Sequence, residues 1–311
     1  MNYPGYYKKL FKVAFNNHHE PFYKSIKNMV SFIFLAHKNK KEISIFLNRM
    51  DTIQHPNFKL NDEKLGVIKW PYIHNDWDIN HKMNVMAGHY EMLSISNPEL
   101  VLDKNKATYE VIDLNYVSKD VNIVIDAAQW FLREGELVIN IFRKGLRVAS
   151  MAFSTCVYND EKTAFIGAVQ GIHSGVSTEE SLDIYRILTK DFEGLRPRSL
   201  LLEILKMIFE KLEIQKVYAI SEQHRHHRHP YFGNNQDTVF KSDYNAFWEE
   251  HGGVLNAKNG FYELPLKLSI KDLSEIASKK RSLYKRRYEI IYNIKDNIQI
   301  SMTNKSNSMI S

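Results

Sequence analysis

Basic side chains gather at the start of one predicted helix, where they could bind an anion. Apolar residues at helical spacing predict this helix over Pro197–Leu212, and a predicted strand, Ala164–Gln170, lies upstream. Free backbone N–H groups and the positive end of the helix dipole attract negative charge to a helix N-terminus. The pattern predicts a site for a phosphate-bearing small molecule, formed by Lys190, Gly194, Leu195, Arg196 and Arg198. The alternative is a solvated basic helix start.

Four further side chains are candidates for catalysis. His173 follows a predicted strand and is a candidate general base if it faces the same cleft. Asp243 and Glu249 are alternatives for that role, and Ser221 could polarise a carbonyl. Each role requires hydrogen-bond reach to a substrate, and a lone histidine is more often structural.

A run of histidine and arginine, His224–His229, follows a predicted strand end, where open sheets often bind ligands. Metal binding needs ligands that converge in space, and the run contains no Cys or carboxylate to join its histidines, so we expect no metal. Histidines also suit a pH-sensitive contact with a phosphate or a lipid head group. A mobile basic loop is the remaining interpretation.

A basic helix is predicted from a capping pattern at Ser269–Asp272 to about Ile294. Its charges are concentrated in Lys279–Arg281 and Lys285–Arg287. An amphipathic surface helix with its charged face in water explains this pattern. Attraction to an anionic membrane surface, about 1 kcal/mol per basic residue, is the alternative. Nucleic-acid binding is less favoured, because no recognised DNA- or RNA-binding motif accompanies the charge.

The chain from residue 1 to about 105 is predicted to be mainly helical. Apolar spacings of three and four predict helices around Phe22–Phe34, Glu42–Met50 and Ile79–Ser94. The stretch Asn57–Asp78 is predicted to be irregular, because glycine and proline interrupt it.

Strands are predicted from about Tyr109 onward, and turn chemistry at Lys144-Gly145 and Asn159-Asp160 indicates hairpins. The predicted meander consists of Tyr109–Leu114, Glu136–Arg143, Arg147–Tyr158 and Thr163–Ile172. The basic residues then follow in a predicted loop. After the helix at Pro197, the remaining predicted elements are a strand at Ile214–Ile220, a short helix at Asp243–His251 and a strand at Gly260–Leu268.

These elements predict an α/β (α+β) fold, with a helical N-terminal portion followed by an antiparallel-meander sheet and flanking helices. The expected division is residues 1–105, residues 106–300 and a disordered tail at 301–311.

Composition excludes several classes of protein. With 44% hydrophobic residues the chain can bury a core, and its net charge of +6 favours an anionic partner. A single cysteine excludes an internal disulfide framework and a cysteine-rich zinc site. No secretory pattern and no apolar run near the roughly 20 residues of a membrane span are present. We therefore expect a cytoplasmic protein, with peripheral contact at the inner membrane left open.

Several ordered motifs resemble the VirK/YbjX family of bacterial proteins over about Trp130–Asn293. The matching pieces are Ile166–Gly171, Thr189-Lys190 with Gly194–Pro197, Asp243-Tyr244 with Phe247-Trp248, Phe261 with Leu264-Pro265, and Lys280–Ser282 with Tyr284 and Arg286–Tyr288. Two positions depart from the family pattern. Val169 stands where leucine is usual, and Glu193 stands where histidine is usual. The resemblance implies roles in virulence, envelope maintenance and resistance to antimicrobial peptides, but it assigns no reaction.

The element order from Glu136 to Leu268 is also similar to the GNAT superfamily of N-acetyltransferases. That resemblance implies an acyl thioester donor, coenzyme A or acyl carrier protein, held at Gly194–Arg198. Pro197 departs from the small residues usual before the helix, which reduces the backbone donors. The leading hypothesis is an acyltransferase-like enzyme that acts in envelope maintenance. The alternative is a non-enzymatic envelope-stress factor that binds anionic lipid or a protein partner through its basic surfaces.

Overall fold

The computed structural model describes residues 10, 13, 22–55, 58–102, 107–173, 175–233 and 243–300. The predicted disorder of the tail at 301–311 lies outside these residues.

Three α-helices form the described N-terminal part, as the sequence predicts: α1 (Phe22–Lys38), α2 (Lys40–Asp51) and α3 (Ile79–Ser96). The buried residues of α2 recur at helical spacing, which explains why it forms against the core. The side chain of Asp78 accepts a hydrogen bond from the His81 amide (2.7 Å) and starts α3. The stretch predicted to be irregular contains one 3₁₀ helix, Asp62–Ile68.

An eight-stranded sheet forms the centre of the described structure, in the order β1-β2-β3-β4-β5-β6-β8-β7. The strands are β1 (Thr108–Asp113), β2 (Val121–Ala127), β3 (Leu137–Arg143), β4 (Leu146–Tyr158), β5 (Glu161–Gln170), β6 (Lys216–Ile220), β7 (Val254–Asn256) and β8 (Phe261–Glu263). Neighbours pair antiparallel, except that β5 and β6 pair parallel. The sheet confirms the predicted mixed α/β fold.

Strand β2, which pairs with both β1 and β3, was not predicted. Val121, Ile123 and Ile125 alternate along it and are fully buried, so the period of two was present in the sequence. The last predicted strand is shorter than expected, because β8 ends before Pro265.

Four α-helices follow the meander in the described residues: α4 (Thr178–Asp191), α5 (Pro197–Lys211), α6 (Tyr244–Glu250) and α7 (Ser278–Asn297). The prediction of a loop over α4 is wrong. Only Leu188 of this helix is buried, while its other apolar residues include Leu182 and Tyr185, which line a cleft. The start predicted for α7 at Ser269 is also wrong. Ser269 donates through its amide and hydroxyl to Glu203 (2.9 and 2.8 Å), while Asp272 caps a short 3₁₀ turn.

One hydrophobic cluster includes residues from both the N-terminal helices and the sheet. Helix α5 packs on the central strands, where the rings of Phe153 and Phe209 meet with centroids 5.5 Å apart. A buried polar network around Glu136 joins the helical part to the sheet. Its carboxylate accepts from the hydroxyls of Tyr72 (3.0 Å) and Tyr90 (2.7 Å) and contacts the Lys64 ammonium. Among the described helices, none has the length and apolarity required to cross a membrane.

Candidate functional site

A cleft of about 1090 Å³ opens between α4, the start of α5, α6 and α7. It lies near the carboxyl ends of the parallel strands β5 and β6, because α6 bonds to both ends. The Val169 amide donates to the Tyr244 hydroxyl (3.0 Å), and the Trp248 indole donates to the Ile220 carbonyl (2.9 Å). Open sheets characteristically bind ligands at such an edge. The cleft combines apolar walls with charged rims. Its apolar residues are Leu182, Tyr185, Pro197, Ala246, Phe247 and Leu283, and its basic residues are Arg186, Lys190, Arg196, Arg198 and Arg286.

The turn between α4 and α5 is held in a left-handed conformation. Glu193 has a φ of 51° and Gly194 a φ of 79°, and the Gly194 amide donates to the Thr189 carbonyl (2.7 Å). Arg287 of α7 donates twice to the Glu193 carbonyl, from Nε (3.0 Å) and Nη2 (2.9 Å). A Cβ at Gly194 would lie 2.8 Å from Arg287 Nη2, so glycine permits both the turn and this contact.

The start of α5 retains anion-binding capacity. Arg196 is the N-cap residue, and its side chain makes no capping hydrogen bond. The first intrahelical bond runs from the Leu200 amide to the Arg196 carbonyl (2.9 Å), so the amides of Arg198 and Ser199 precede it. Such amides and the positive dipole end favour a negatively charged ligand.

The charges around the cleft differ in how they are paired. Arg286 binds Glu193 (2.8 Å), and this hydrogen bond lowers the pKa of the Glu193 carboxyl. Arg196 meets Glu250 at 3.3 Å, and both side chains are largely exposed. The ion pairs found among the described residues do not include Lys190 or Arg198. These two cations are therefore available to an anionic ligand without breaking an ion pair.

The structure brings most of the predicted anion site together. Lys190, Gly194, Arg196 and Arg198 line the cleft, and the adjacent Leu195 packs against the core. Asp243, a predicted catalytic residue, also lines the cleft, although its carboxylate caps α6 by accepting from the Ala246 amide (3.0 Å).

The other three predicted catalytic residues are not among the residues that line this cleft. His173 is exposed, and its Nδ1 accepts from the Gly175 amide (3.0 Å). Ser221 is buried, and its hydroxyl is 2.9 Å from His224 Nδ1. Glu249 accepts from the Tyr262 hydroxyl (2.8 Å); burial and this carboxylate raise the pKa of Tyr262 to about 12. Their catalytic roles stay predictions.

The run His224–His229 is folded into short 3₁₀ turns that pack on the protein. Arg225 is buried, and burial lowers the pKa of both His226 and His227 to about 3. Within the described part of the chain, no group of three or more His, Cys, Asp or Glu side chains is placed to hold a metal ion.

The apolar wall from α4 is the part of the cleft that sequence reasoning missed. Tyr185 of this wall accepts from the Ile172 amide (2.8 Å) and donates to the Val148 carbonyl (3.3 Å), which fixes the helix against the sheet. A capping signal was present, since the Ser177 side chain accepts from the Glu180 amide (3.1 Å) in a Ser-x-x-Glu pattern.

Three of the sequence motifs that resemble the VirK/YbjX family supply residues that line the cleft. Its lining includes Gly194, Arg196 and Pro197 from one motif, Asp243 and Phe247 from a second, and Arg286 from a third. Motifs that are far apart in the chain therefore form one surface, which marks the cleft as the candidate functional site.

Comparisons with known proteins agree on one family. The family described as "Protein of unknown function (DUF535)" matches residues 21–300. The uncharacterized protein YbjX of Escherichia coli K12 is 34% identical over 161 residues, which cover 51% of this chain and 47% of YbjX. An uncharacterized protein of Haemophilus influenzae is 27% identical over 181 residues, covering 58% of this chain and 57% of that protein.

Each of these matches spans about half the length of the relative. No solved structure matches the chain. The match over residues 21–300, together with the similarity to YbjX, shows that the chain belongs to the VirK/YbjX (DUF535) family.

Proposed function

We propose that the cleft binds the phosphate-bearing part of an acyl thioester, coenzyme A or the phosphopantetheine of acyl carrier protein, and that the protein is an acyltransferase-like enzyme. One observation carries this proposal: a single cleft joins the amides at the start of α5, an apolar wall and two cations, Lys190 and Arg198, that form no ion pair with the described residues. A thioester donor has matching parts, because its phosphates are anionic and its acyl arm is apolar.

The sheet order supports the same proposal. An antiparallel meander is followed by a parallel pair, β5 and β6, and then by a helix and a last strand pair. This order is the one that the N-acetyltransferase resemblance implies. It remains a likeness of architecture and assigns no catalytic residue.

In the proposed reaction the cleft orients the donor and the acceptor attacks its carbonyl directly. Arg198 and the α5 amides bind the donor phosphates, while the wall formed by Tyr185 and Phe247 excludes water from the pantetheine arm. His173, Ser221, Asp243 and Glu249 remain candidates for acid–base or polarising roles. The acceptor belongs to the cell envelope in this proposal, in line with the roles that the family resemblance implies.

Calorimetric titration of the parent with coenzyme A, acetyl-coenzyme A and dephospho-coenzyme A tests the donor site. We expect binding by the parent and a loss of about tenfold in affinity in Arg198→Ala, since a hydrogen bond to a charged group contributes roughly 1.5–3 kcal/mol. Arg281→Ala is the matched control, because Arg281 lies on α7 but outside the cleft lining. Equal affinities of parent and Arg198→Ala for every donor would remove the proposal.

A second candidate function rests on the surface of α7. Lys279, Lys280, Arg281 and Lys285 are exposed on this helix, while its buried residues are Tyr288, Ile291 and Ile294. An exposed basic face next to an anchored apolar face suits an anionic membrane surface. Co-sedimentation with phosphatidylglycerol vesicles, compared with phosphatidylcholine vesicles, tests it. Equal recovery with both lipids would remove this candidate.

A further inference from the structure

The run His224–His229 takes no part in the proposed donor site, yet it covers a buried carboxyl group. Glu134, in the turn before β3, is only 6% exposed. Its carboxyl faces charged and polar side chains from separate segments: Arg133 beside it, Gln170 at the end of β5, and Arg225 and His226 from the run. The buried carboxyl cluster is defined as Glu134, Arg225, His226 and Tyr244.

The Glu134 carboxyl is hydrogen-bonded by Gln170, but no described residue bonds to a buried nitrogen of His226 beside it. His226 Nδ1 lies 3.8 Å from Glu134 Oε1, which is too far for a hydrogen bond, and this buried nitrogen has no hydrogen-bond partner among the described residues. Arg225 donates to Glu222 (3.1 Å) and lies 3.9 Å above the Tyr244 ring. A ligand O–H or N–H placed between the carboxylate and the imidazole could bond to both.

The cluster lies beside the point where β5 and β6 stop pairing, which leaves an opening in the sheet. The pairing of β5 with β6 ends at Ile166 and Ala219, and Gly167 is the extra residue of a bulge between β4 and β5. A Cβ at Gly167 would lie 2.1 Å from the Glu134 carbonyl oxygen, so glycine permits this close approach. Past the bulge, the Val169 amide donates to the Tyr244 hydroxyl (3.0 Å).

Helix α6 links this opening to the donor cleft. Tyr244 is the first residue of α6 and belongs to the cluster, while the preceding residue, Asp243, lines the cleft. In the proposed transfer, the reactive end of a donor held at the start of α5 lies at the first turn of α6. The acceptor would reach it from the side of Glu134.

The electrostatics suit proton transfer near neutral pH. Burial raises the pKa of Glu134 to about 7, against the opposing effect of Arg225 and Arg133. Burial and the same arginines lower the pKa of His226 to about 3, so its imidazole stays neutral. Burial also raises the pKa of Tyr244, which keeps its hydroxyl protonated. An acid–base group works best when its pKa is close to the working pH.

We propose that Glu134 is the catalytic acid–base residue of an acyl transfer to a hydroxyl or amine acceptor, which enters beside His226 when the turns at His226–Phe232 move aside. The inference rests on the proposed function. The acceptor oxygen or nitrogen bonds to the thioester carbonyl carbon as its proton passes to the Glu134 carboxylate. The carbon–sulfur bond breaks, and Glu134 returns the proton to the departing thiolate.

The test measures donor binding and thiol release separately. Thiol release from acetyl- and longer acyl-coenzyme A is followed with a panel of hydroxyl and amine acceptors between pH 5.5 and 9. We expect the parent rate to rise through about pH 7 and to level off, as Glu134 ionises. Glu134→Gln is expected to lower the rate at least about 100-fold and to abolish that rise, with donor affinity unchanged. Glu134→Asp keeps a carboxylate, so an intermediate rate is expected even if the glutamine variant does not fold.

Glu263→Gln is the matched control, because it removes a carboxylate that is 43% exposed and pairs with Lys216 outside the cluster. Its rate and pH profile should equal those of the parent. Parent-like rates in Glu134→Gln, or a parent that binds donor and releases no thiol with any acceptor, would overturn the role of Glu134 and leave the donor site intact. A parent that binds no donor would overturn the donor site as well.

Discussion

The cleft and the buried carboxyl cluster use the same residue types in opposite environments. Around the cleft, Arg196 and Glu250 pair while 70% and 49% exposed. In the cluster, Arg225 and Glu134 are 5% and 6% exposed. Water screens the first pair, so its charges can be exchanged for those of a ligand at little cost. Because the second set is buried, removing one of its charges costs more free energy, and the pKa values of its groups are shifted. Shifted pKa values suit acid–base chemistry better than exchangeable binding.

The largest effect should come from Arg225→Ala. This change removes a buried cation that faces Glu134 and Glu222 and packs over Tyr244, so buried carboxylates lose their compensation. We expect the free energy of unfolding to fall by about 3–5 kcal/mol, measured by urea denaturation at pH 8. Adding Glu134→Gln should recover part of the loss, because one uncompensated charge is then absent. A loss below about 1 kcal/mol would show that the cluster is as well screened as the cleft.

The pH dependence of stability should separate Glu134 from the cleft carboxylates. The folded protein raises the pKa of Glu134 from its ordinary 4.5 to about 7, so between these values the folded state binds more protons than the unfolded state. The contribution of Glu134 to the free energy of unfolding is therefore full below pH 4.5, declines as pH rises to 7 and is constant above. The total decline is on the order of 3 kcal/mol.

Buried histidines change stability in the opposite direction over part of this range. Burial lowers the pKa of His74 to about 4 and that of His89 and His226 to about 3, so their contribution is lost as pH falls below 6.5. The Glu134 contribution is therefore obtained as the difference between the parent and Glu134→Gln, measured by denaturation from pH 4.5 to 8. This difference should shift steadily in favour of the variant as pH rises. If the difference in unfolding free energy did not change with pH, the pKa of Glu134 would be the same in the folded and unfolded states, as expected for a carboxyl group in water.

Local sequence signals were sufficient for the basic side of the cleft, but not for its α4 wall or for the cluster. The start of α5 was predictable because its proline, its arginines and its apolar stripe are adjacent in the chain. Helix α4 was missed although Ser177 and Glu180 carry a capping signal, since its face is mostly exposed. Glu134 carries no local signal at all. Burial raises its pKa and Arg225 opposes that shift, and both effects arise only when the folded chain brings distant segments together.

Gly194→Ala should have an intermediate effect, because it perturbs the cleft through the backbone. Gly194 has a φ of 79°, and a Cβ there would also meet Arg287. The strain should cost about 1–2 kcal/mol of unfolding free energy. Gly145→Ala is the matched control, because its φ of 76° imposes similar strain while a Cβ would meet nothing within 4 Å. Donor affinity should fall only in Gly194→Ala. A fall in both variants would show that the loss follows from general destabilisation and not from the Arg287 contact.

The smallest effect on stability should come from Arg196→Ala, because this residue lies in the exposed cleft. The pair of Arg196 with Glu250 is long, at 3.3 Å, and solvent-exposed, so its loss should change the free energy of unfolding by less than about 0.5 kcal/mol. Affinity for coenzyme A should nevertheless fall about tenfold. In the parent the guanidinium exchanges Glu250 for the phosphate, and the variant lacks this charge-assisted hydrogen bond. Removing Glu250 instead, as Glu250→Gln, should raise affinity, since the competing carboxylate is gone. If Arg196→Ala destabilised the fold as strongly as Arg225→Ala, the arginine would be a structural element and the cleft would lose one of its binding groups.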